Sequence, residues 1–264
     1  MKHDQFSDYT QLAIQAALKA GDILKEGFGK VLTVSEKPGK QNFVTEYDHA
    51  SEACIISLIK EKYSEHNFLA EESGLSDQFE ETVLWIIDPL DGTTNFVHQI
   101  PIVTISIAAY QGGSGLSGVI YQPYTDELFV AEKGKGAFLN GKQISVSTTE
   151  QIKDCLFVGS LPYDPSAIPI LSLEDLLQFS RDGATFRNYG SAALTLAYVA
   201  AGKVDACWLY NLYPWDFAAG KLLLEEAGGA FTKFNKDPEM VHSAANILAT
   251  NKPLHQKFNK ILRY

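Results

Sequence analysis

The chain has 264 residues, of which 45% are hydrophobic and 11% aromatic, so it is long enough for one large core or two mid-sized domains. Its formal net charge of -10 argues against nucleic acid and anionic membranes as partners, because both are bound through basic surfaces. The polar N-terminus lacks a signal-peptide pattern and no apolar stretch is long enough to span a bilayer, so we expect a cytoplasmic protein. Three widely spaced cysteines in apolar runs, Cys54, Cys155 and Cys207, are predicted to be buried thiols.

The first half of the chain is predicted to contain two helices followed by a sheet. Alanines and a leucine at helical spacing predict a helix over residues 9–28, and a second helix is expected over 48–63. The inner face of the second helix is predicted to consist of Ala50, Cys54, Leu58 and Ile59. Short extended segments are expected on both sides of the loop between the helices. From NFLAEES to NGKQISVS, apolar runs alternate with glycine-rich turns, a pattern typical of successive strands.

From about Glu150 the pattern changes to alternating strands and helices. CLFVGS, ATFRNYG and VDACWLY are predicted strands, and LSLEDLLQF and SAALTLAYVAAG are predicted helices. The segment WDFAAGKLLLEEAGG is predicted to be a helix with an amphipathically placed leucine triplet, ended by Gly228 and Gly229. Because no linker separates the halves, we expect two tightly packed subdomains, residues 1–149 and 150–264.

The stretch VLWIIDPLDGTTNF is the first sign of chemistry, since an apolar run ends at Asp88 and a second carboxylate follows at Asp91. A strand that ends at Asp88 presents its side chain at the edge of a sheet, and Pro89 is expected to stop the hydrogen-bond ladder. Two carboxylates at one turn raise a pKa strongly unless a cation compensates, and Mg²⁺ prefers such oxygen ligands. Taken alone, these residues are explained equally well as an ordinary Asp-Pro-x-Asp-Gly turn.

Further acidic residues stand at the ends of predicted elements. Glu71 follows a strand, while Asp48 and Asp216 stand at helix starts. Each has a second interpretation, as a surface glutamate or as a helix N-cap. Thr93 and Thr94 could supply a hydroxyl ligand or cap the next helix, whose N-terminus would favour a phosphate. Sequence spacing does not establish that these residues converge.

The motifs AEES, WIIDPLDGTTNFVH and PWDFAAGKLLLEEAGG, in this order, resemble those of the inositol monophosphatase family of metal-dependent phosphatases. NFVTEYD, EKGKGAFLNGK and NYGSAAL resemble further segments of that family, so the resemblance extends from about Val31 to Ala249. It implies an α+β (mixed α/β) sugar-phosphatase fold with αβαβα layers, Mg²⁺ as cofactor in two or three copies per active site, and hydrolysis of small phosphorylated metabolites such as inositol 1-phosphate. Lithium sensitivity and a homodimer are expected on the same ground.

The resemblance also assigns roles to single residues. The implied metal ligands are Glu71, Asp88, the Leu90 carbonyl and Thr93 for one ion, and Asp88, Asp91 and Asp216 for another. The two aspartates at the turn would then tolerate each other because the metals neutralise them. Water on the first metal, oriented by Thr93 with Asp48 behind it, would attack phosphorus, and the second metal would stabilise the leaving alkoxide. The predicted catalytic residues are Asp48, Thr93 and Glu71.

The implied substrate contacts are Asp91, Gly92, Thr93, Thr94, Gly190, Ser191, Ala192, Leu209 and Asp216. The amides of 92–94 would cradle the phosphate, and the helix start at 190–192 would meet the alcohol part. Asn42 and Leu209 stand where inositol-specific members have an Asp and a Glu that binds inositol hydroxyls, although Tyr210 or Asn211 could supply the missing contact. We therefore expect relaxed specificity. Fructose 1,6-bisphosphate, the 2'-phosphate of NADP and 3'-phosphoadenosine phosphates stay open as substrates.

Two other functions are compatible with parts of this sequence. Covalent aspartyl-phosphatases need two aspartates two residues apart, whereas Asp88 and Asp91 are three apart, with a proline after the first. A non-catalytic regulatory protein that kept the fold is the other rival, because a fold alone does not fix function. The presence of the whole acidic set together with Thr93 argues against loss of activity.

Overall fold

The computed structural model describes residues 5–36, 43–76, 82–160, 170–233 and 245–261. Its helices are α1 (Asp8–Gly27), α2 (Glu46–Lys62), α3 (Thr93–Val97), α4 (Ile170–Arg181), α5 (Ala192–Ala200), α6 (Pro214–Glu226) and α7 (Lys252–Ile261). Its strands are β1 (Val34–Glu36), β2 (Phe43–Thr45), β3 (Asn67–Ala70), β4 (Gly74–Leu75), β5 (Leu84–Asp91), β6 (Thr104–Gln111), β7 (Ser114–Gln122), β8 (Glu127–Glu132), β9 (Gly136–Leu139), β10 (Lys142–Ile144), β11 (Leu156–Gly159), β12 (Thr185–Arg187), β13 (Ala206–Leu212), β14 (Ala230–Lys233) and β15 (Ala245–Thr250).

The middle of the chain forms an eight-stranded sheet in the order β10-β9-β8-β7-β6-β5-β3-β4. Its strands pair antiparallel except for β3 and β5, which run parallel. The expectation that the Asp88 strand stops there is wrong. A β-bulge spans Asp88 to Asp91, and the ladder resumes where Asp91 pairs with Thr104 of β6. Pro89, which cannot donate a ladder hydrogen bond, is accommodated inside the bulge.

The second half forms a five-stranded sheet in the order β12-β11-β13-β15-β14. Strand β11 runs parallel to β12 and β13, and the other pairs are antiparallel. The strands and helices expected here are confirmed as β11, α4, β12, α5, β13 and α6. Strands β14 and β15 and helix α7 were not predicted, because no element was assigned after the helix end at Gly228 and Gly229.

The elements stack in five layers. Helices α1 and α2 cover one face of the eight-stranded sheet, α5 and α6 lie between the two sheets, and α4 and α7 cover the far face of the five-stranded sheet. The expected αβαβα order is thereby confirmed. Helix α6 is not amphipathic as expected, because Leu222, Leu223 and Leu224 are all buried between two sheets. The division of the chain at residue 149 stays a prediction.

Helix α2 buries a different face from the expected one. Ala50 is exposed and Cys54 and Leu58 are only half-buried. The buried residues of α2 are Asp48, Ser51, Glu52, Ile55 and Ile59. The first turns of α2 therefore turn polar side chains inward, toward the end of β5, while the later turns bury isoleucines in the core.

The three cysteines are free thiols, as expected. Cys155 and Cys207 are buried, and burial raises the pKa of each thiol to about 12. Cys54 is only half-buried, which departs from the prediction. Among the helices of the described residues, none combines the length and the hydrophobicity needed to cross a bilayer.

Candidate active site

The acidic residues gather where β3 and β5 end and where α2, α3, α5 and α6 begin. Strands β3 and β5 are parallel with Ala70 opposite Ile87, and the Glu71 amide donates to the Ile87 carbonyl at 3.1 Å. Glu71 and Asp88 therefore leave neighbouring strands at the same edge of the sheet. This is the arrangement that the two strand-end motifs predicted.

Asp88 lies at the centre of this group and is 1% exposed. Its Oδ1 accepts a hydrogen bond from the Leu90 amide at 3.0 Å. Burial, together with the negative charges of Glu71, Asp91 and Asp216, raises the pKa of Asp88 well above its usual value. The carboxylates of Glu71, Asp91 and Asp216 thus lie near enough to Asp88 to affect its pKa. Among the ion pairs of the described residues, none involves Asp88 or Asp91.

The bulge that displays Asp88 is fixed from both sides. The Ser51 hydroxyl of α2 donates to the Pro89 carbonyl at 2.8 Å. Gly92 follows with φ +99°, and a Cβ there would meet the Ile102 carbonyl oxygen at 3.0 Å. A glycine is needed at this left-handed, crowded position, from which α3 starts. The bulge and the start of α3 are thus held in one conformation.

Asp91 is held by the start of α5. Its Oδ2 accepts from the Ser191 hydroxyl at 2.5 Å, the Ala193 amide at 2.7 Å and the Thr104 hydroxyl at 3.3 Å. Its Oδ1 accepts from the Ala192 amide at 3.2 Å. Burial raises the pKa of Asp91, and these hydrogen bonds oppose the rise. Ser191 and Ala192, expected to meet the substrate alcohol, thus bind Asp91 in this structure, and their contact with substrate stays a prediction.

Asp48 and Thr93 are brought together as predicted. The Thr93 hydroxyl lies 3.0 Å from Oδ1 of Asp48 and 3.1 Å from the Leu90 carbonyl oxygen. Oδ2 of Asp48 accepts from the Thr45 amide and hydroxyl at 2.8 and 2.6 Å. Burial raises the pKa of Asp48 to about 6, although the Thr45 bonds oppose the rise. The N-cap of α2 is therefore Thr45, and Asp48 completes a capping box while it also reaches the site.

Asp216 has the same position in α6 that Asp48 has in α2, since each is the third residue of its helix. It is the third residue of the helix rather than the N-cap, and its Oδ2 accepts from the amide of Tyr213, the N-cap, at 2.6 Å. The Ser106 hydroxyl of β6 donates to the Trp215 carbonyl at 3.2 Å, and Ser106 pairs with Asp88 in the sheet. The start of α6 is thereby fixed beside Asp88.

The loop before α5 is fixed to α3 by Asn95, a residue that sequence reasoning missed. Its side-chain nitrogen donates to the Ile102 and Tyr189 carbonyls, both at 2.8 Å. Gly190 has φ +71°, and a Cβ there would meet the Asn95 amide at 2.9 Å. Thr104, Ser106 and Ser51 were also missed. Their signal was a small hydroxyl residue inside an otherwise apolar strand or on a buried helix face.

The residues that pack around Leu209 are apolar. It lies on β13, is 3% exposed, and belongs to the same buried apolar cluster as Leu196 of α5 and Phe217 of α6. The role of Leu209 in substrate choice stays a prediction. Of the two alternatives, Tyr210 is buried and Asn211 is exposed with φ +53°. Asn42 lies outside the described residues.

The donor atoms at this site suit a hard divalent cation, since they are carboxylates, a carbonyl and a hydroxyl. They belong to Glu71, Asp88, Leu90, Thr93, Asp91 and Asp216. Within the described residues, however, no three His, Cys, Asp or Glu side chains are placed so that together they could hold an ion. Two of the carboxylates are engaged by helix starts, Asp91 at α5 and Asp216 at α6. The chemistry of the donors therefore fits Mg²⁺, while their positions are set by hydrogen bonds within the protein.

Comparison with known proteins identifies the family of the chain. A model of the inositol monophosphatase family matches residues 5–263. The chain is 40% identical over 254 residues to an inositol-1-monophosphatase of Caulobacter vibrioides, covering 95% of this chain and 99% of that one. It is 40% identical over 224 residues to the Nus factor SuhB of Escherichia coli K12, covering 84% of each.

Solved structures show the same fold. The extragenic suppressor protein suhB from Bartonella henselae superposes with a TM-score of 0.90 at 38% identity, covering 97% of this chain and 99% of that one. SaIMPase-II with bound 2'AMP superposes with a TM-score of 0.79 at 31% identity, covering 95% and 92%.

Proposed function

This chain belongs to the inositol monophosphatase family and is a phosphatase, and from that premise we propose that it hydrolyses small phosphomonoesters such as inositol 1-phosphate with Mg²⁺ as cofactor. The observation that carries the proposal is Asp88, buried among three other carboxylates and without a lysine or arginine ion pair in the described part of the chain. Such a group calls for a bound cation.

The proposed ligands of one Mg²⁺ are Glu71, Asp88, the Leu90 carbonyl and Thr93, and those of a second are Asp88, Asp91 and Asp216. When bound, Mg²⁺ neutralises these carboxylates, polarises the phosphoryl group and lowers the pKa of the attacking water. Asp88 is the residue common to both sets. Whether two or three ions bind stays open.

The side chains of the site orient the reactants. Asp48 accepts the Thr93 hydroxyl hydrogen, so the Thr93 oxygen is turned to accept a hydrogen bond from a water beside it. The amides of residues 92–94, at the turn into α3, are proposed to bind the phosphate oxygens. Positioning and charge neutralisation of this kind are the main demands of phosphoryl transfer.

We propose direct attack of water, without a phospho-enzyme, because the two aspartates have the wrong spacing for the covalent class. Rapid-quench experiments with phosphate-labelled substrate test this step. Label trapped on an aspartate would contradict it. Lithium inhibition, also proposed from family membership, is tested by dose series in lithium and potassium chloride at matched ionic strength.

The substrate range is proposed to be broad. A relative in the same family was solved with 2'AMP, and Leu209 stands where the family resemblance places a Glu in inositol-specific members. NADP 2'-phosphatase and fructose-1,6-bisphosphatase activities are therefore the alternatives. Release of inorganic phosphate from inositol 1-phosphate, 2'-AMP, NADP and fructose 1,6-bisphosphate, with Mg²⁺ and after chelation, is the test. We expect Mg²⁺-dependent release from inositol 1-phosphate and at least one other substrate. No release from any of them at saturating Mg²⁺ would contradict the proposal.

A second candidate function is a regulatory binding role, favoured by the name Nus factor that a relative at 40% identity carries. The net charge of -10 points to a protein rather than a nucleic acid as the partner. A folded but inactive Asp88→Asn protein separates the two functions, since a regulatory effect in cells would survive that substitution. A homodimer is also proposed, and light scattering after size exclusion tests it.

A further inference from the structure

Tyr213 stands at the rim of the candidate active site. It is 48% exposed, which is unusual for a large aromatic side chain that belongs to a folded helix start. Its backbone amide donates to Oδ2 of Asp216 at 2.6 Å. The Tyr213 ring is therefore attached to the same short segment that presents one of the proposed metal ligands.

The backbone directs Tyr213 outward. The register of β13 against β15 shifts between Leu209 and Leu212, where Asn211 has φ +53°, and Leu212 is the last paired residue of the strand. Tyr213 follows in extended conformation as the N-cap of α6. The sheet pairing stops before the ring and the helix begins after it, so the ring lies at the junction of the two.

One face of the Tyr213 ring is already occupied. It stacks on Trp215 with ring centroids 4.9 Å apart and an interplanar angle of 9°. Trp215 is in turn fixed through its carbonyl, which accepts the Ser106 hydroxyl at 3.2 Å. The stack occupies one face of the Tyr213 ring and restricts its orientation, while 48% of the residue stays exposed. A ring held in this way loses little conformational entropy when a second planar group stacks on it.

We propose that the exposed face of Tyr213 is a stacking platform for the base of nucleoside monophosphate substrates. Stacking of a base on an aromatic side chain is favourable and needs a π face, which inositol and simple sugars lack. The platform would thus favour nucleoside phosphates over polyol phosphates at the same phosphate site. This inference rests on the proposed phosphatase function and names a substrate class for it.

The test compares two substrates in four proteins. Initial rates give kcat/KM for 2'-AMP and for inositol 1-phosphate in wild type, Tyr213→Ala, Tyr213→Phe and the control Leu177→Ala, which removes an exposed apolar side chain from α4 in the outer layer. Calorimetric titration with 2'-AMP measures binding without turnover. We expect Tyr213→Ala to lower kcat/KM for 2'-AMP about tenfold and to weaken 2'-AMP binding by a similar factor, with less than about a twofold change for inositol 1-phosphate. Tyr213→Phe should keep wild-type selectivity, because the ring and not the hydroxyl does the stacking.

Other outcomes overturn the inference or the function separately. An equal loss for both substrates in Tyr213→Ala would mean that Tyr213 only supports Asp216 and Trp215. No loss for either would mean that the ring does not meet the substrate, and absence of measurable 2'-AMP binding to wild type would also refute the platform. If 2'-AMP binds in a Tyr213-dependent way but no phosphate is released from any substrate, the platform stands and the proposed phosphatase function fails.

Discussion

The eight-stranded sheet carries two carboxylates, Glu127 and Asp88, whose pKa values are shifted in opposite directions. Burial alone would raise the pKa of Glu127 on β8, but hydrogen bonds from Lys203, Thr125 and Tyr198 hold it below its usual value. Lys203 also lies over the Tyr198 ring, 4.5 Å from the centroid. At Asp88, burial and three neighbouring negative charges all raise the pKa.

The two sites differ in whether a basic side chain of the protein balances the carboxylate, as Lys203 does at Glu127. Glu127 ties β8 to the end of α5 and has its counter-charge built in, so it contributes to the stability of the protein as it stands. Around Asp88 no ion pair within the described residues balances the charge, and the proposed Mg²⁺ would do so. Variants at the two sites should therefore behave as opposites.

Asp88→Asn should have the largest effect on activity and the least harmful effect on stability. The substitution keeps an oxygen for the Leu90 amide but removes one negative charge from each proposed metal site, leaving one carboxylate of two at the first and two of three at the second. Turnover at saturating Mg²⁺ should therefore fall by orders of magnitude. Without metal, thermal unfolding should occur at the same or a higher temperature, because one buried negative charge is gone. The control is Glu127→Gln, which should keep its turnover. A folded Asp88→Asn protein with near-wild-type turnover would contradict the role given to Asp88.

Mg²⁺ should stabilise the wild-type protein but not Asp88→Asn. A ligand present at a hundred times its dissociation constant adds about 2.7 kcal/mol to the free energy of unfolding. Differential scanning calorimetry with Mg²⁺ and after chelation should show this rise in wild type and in Glu127→Gln. An equal rise in Asp88→Asn would mean that the ion binds elsewhere.

Sequence reasoning found Asp88 and Glu71 because each directly follows an apolar run of residues, although only Glu71 lies just beyond a strand end, while Asp88 lies at a bulge inside β5. It could not place Asp91, whose partners Ser191 and Ala193 lie about 100 residues further along the chain. Their contact depends on how α5 is seated between two sheets, which no local pattern encodes.

The polar inner face of α2 was missed for a related reason. Hydrophobic periodicity assumes that buried positions are apolar, but the start of α2 faces a polar site through Asp48 and Ser51. Most strands followed from the sequence pattern, because apolar runs and glycine turns depend on local chemistry, whereas the layer order was implied by the family resemblance. What remained hidden were the hydrogen bonds that cross between layers.

Those crossing bonds can be tested at Ser191, which binds Asp91 and also caps α5 by accepting from the Leu194 amide at 3.2 Å. Ser191→Ala should lower the free energy of unfolding by about 2 kcal/mol, since it removes a cap and a charge-assisted hydrogen bond. The matched control is Ser117→Ala on β7, because the Ser117 hydroxyl is buried and has no hydrogen-bond partner among the described residues. Urea unfolding measures both. Equal losses in the two variants would mean that Ser191 does not hold Asp91 in solution.

The smallest effect is expected at the compensated site, and its pH dependence identifies the cause. Glu127→Gln should lower the free energy of unfolding by about 1 kcal/mol or less at pH 7, because water partly screens the Lys203 pair. The folded-state pKa of Glu127 lies below its unfolded value of about 4.3, so the contribution of the carboxylate is fully present above that value and is lost as the pH falls through the folded pKa. Urea unfolding of wild type and Glu127→Gln at pH values from about 7 down to 3 should therefore show a difference that shrinks toward zero as Glu127 is protonated. A difference that stays constant over this range would mean that shape and packing, and not charge, distinguish Glu127 from glutamine at this position.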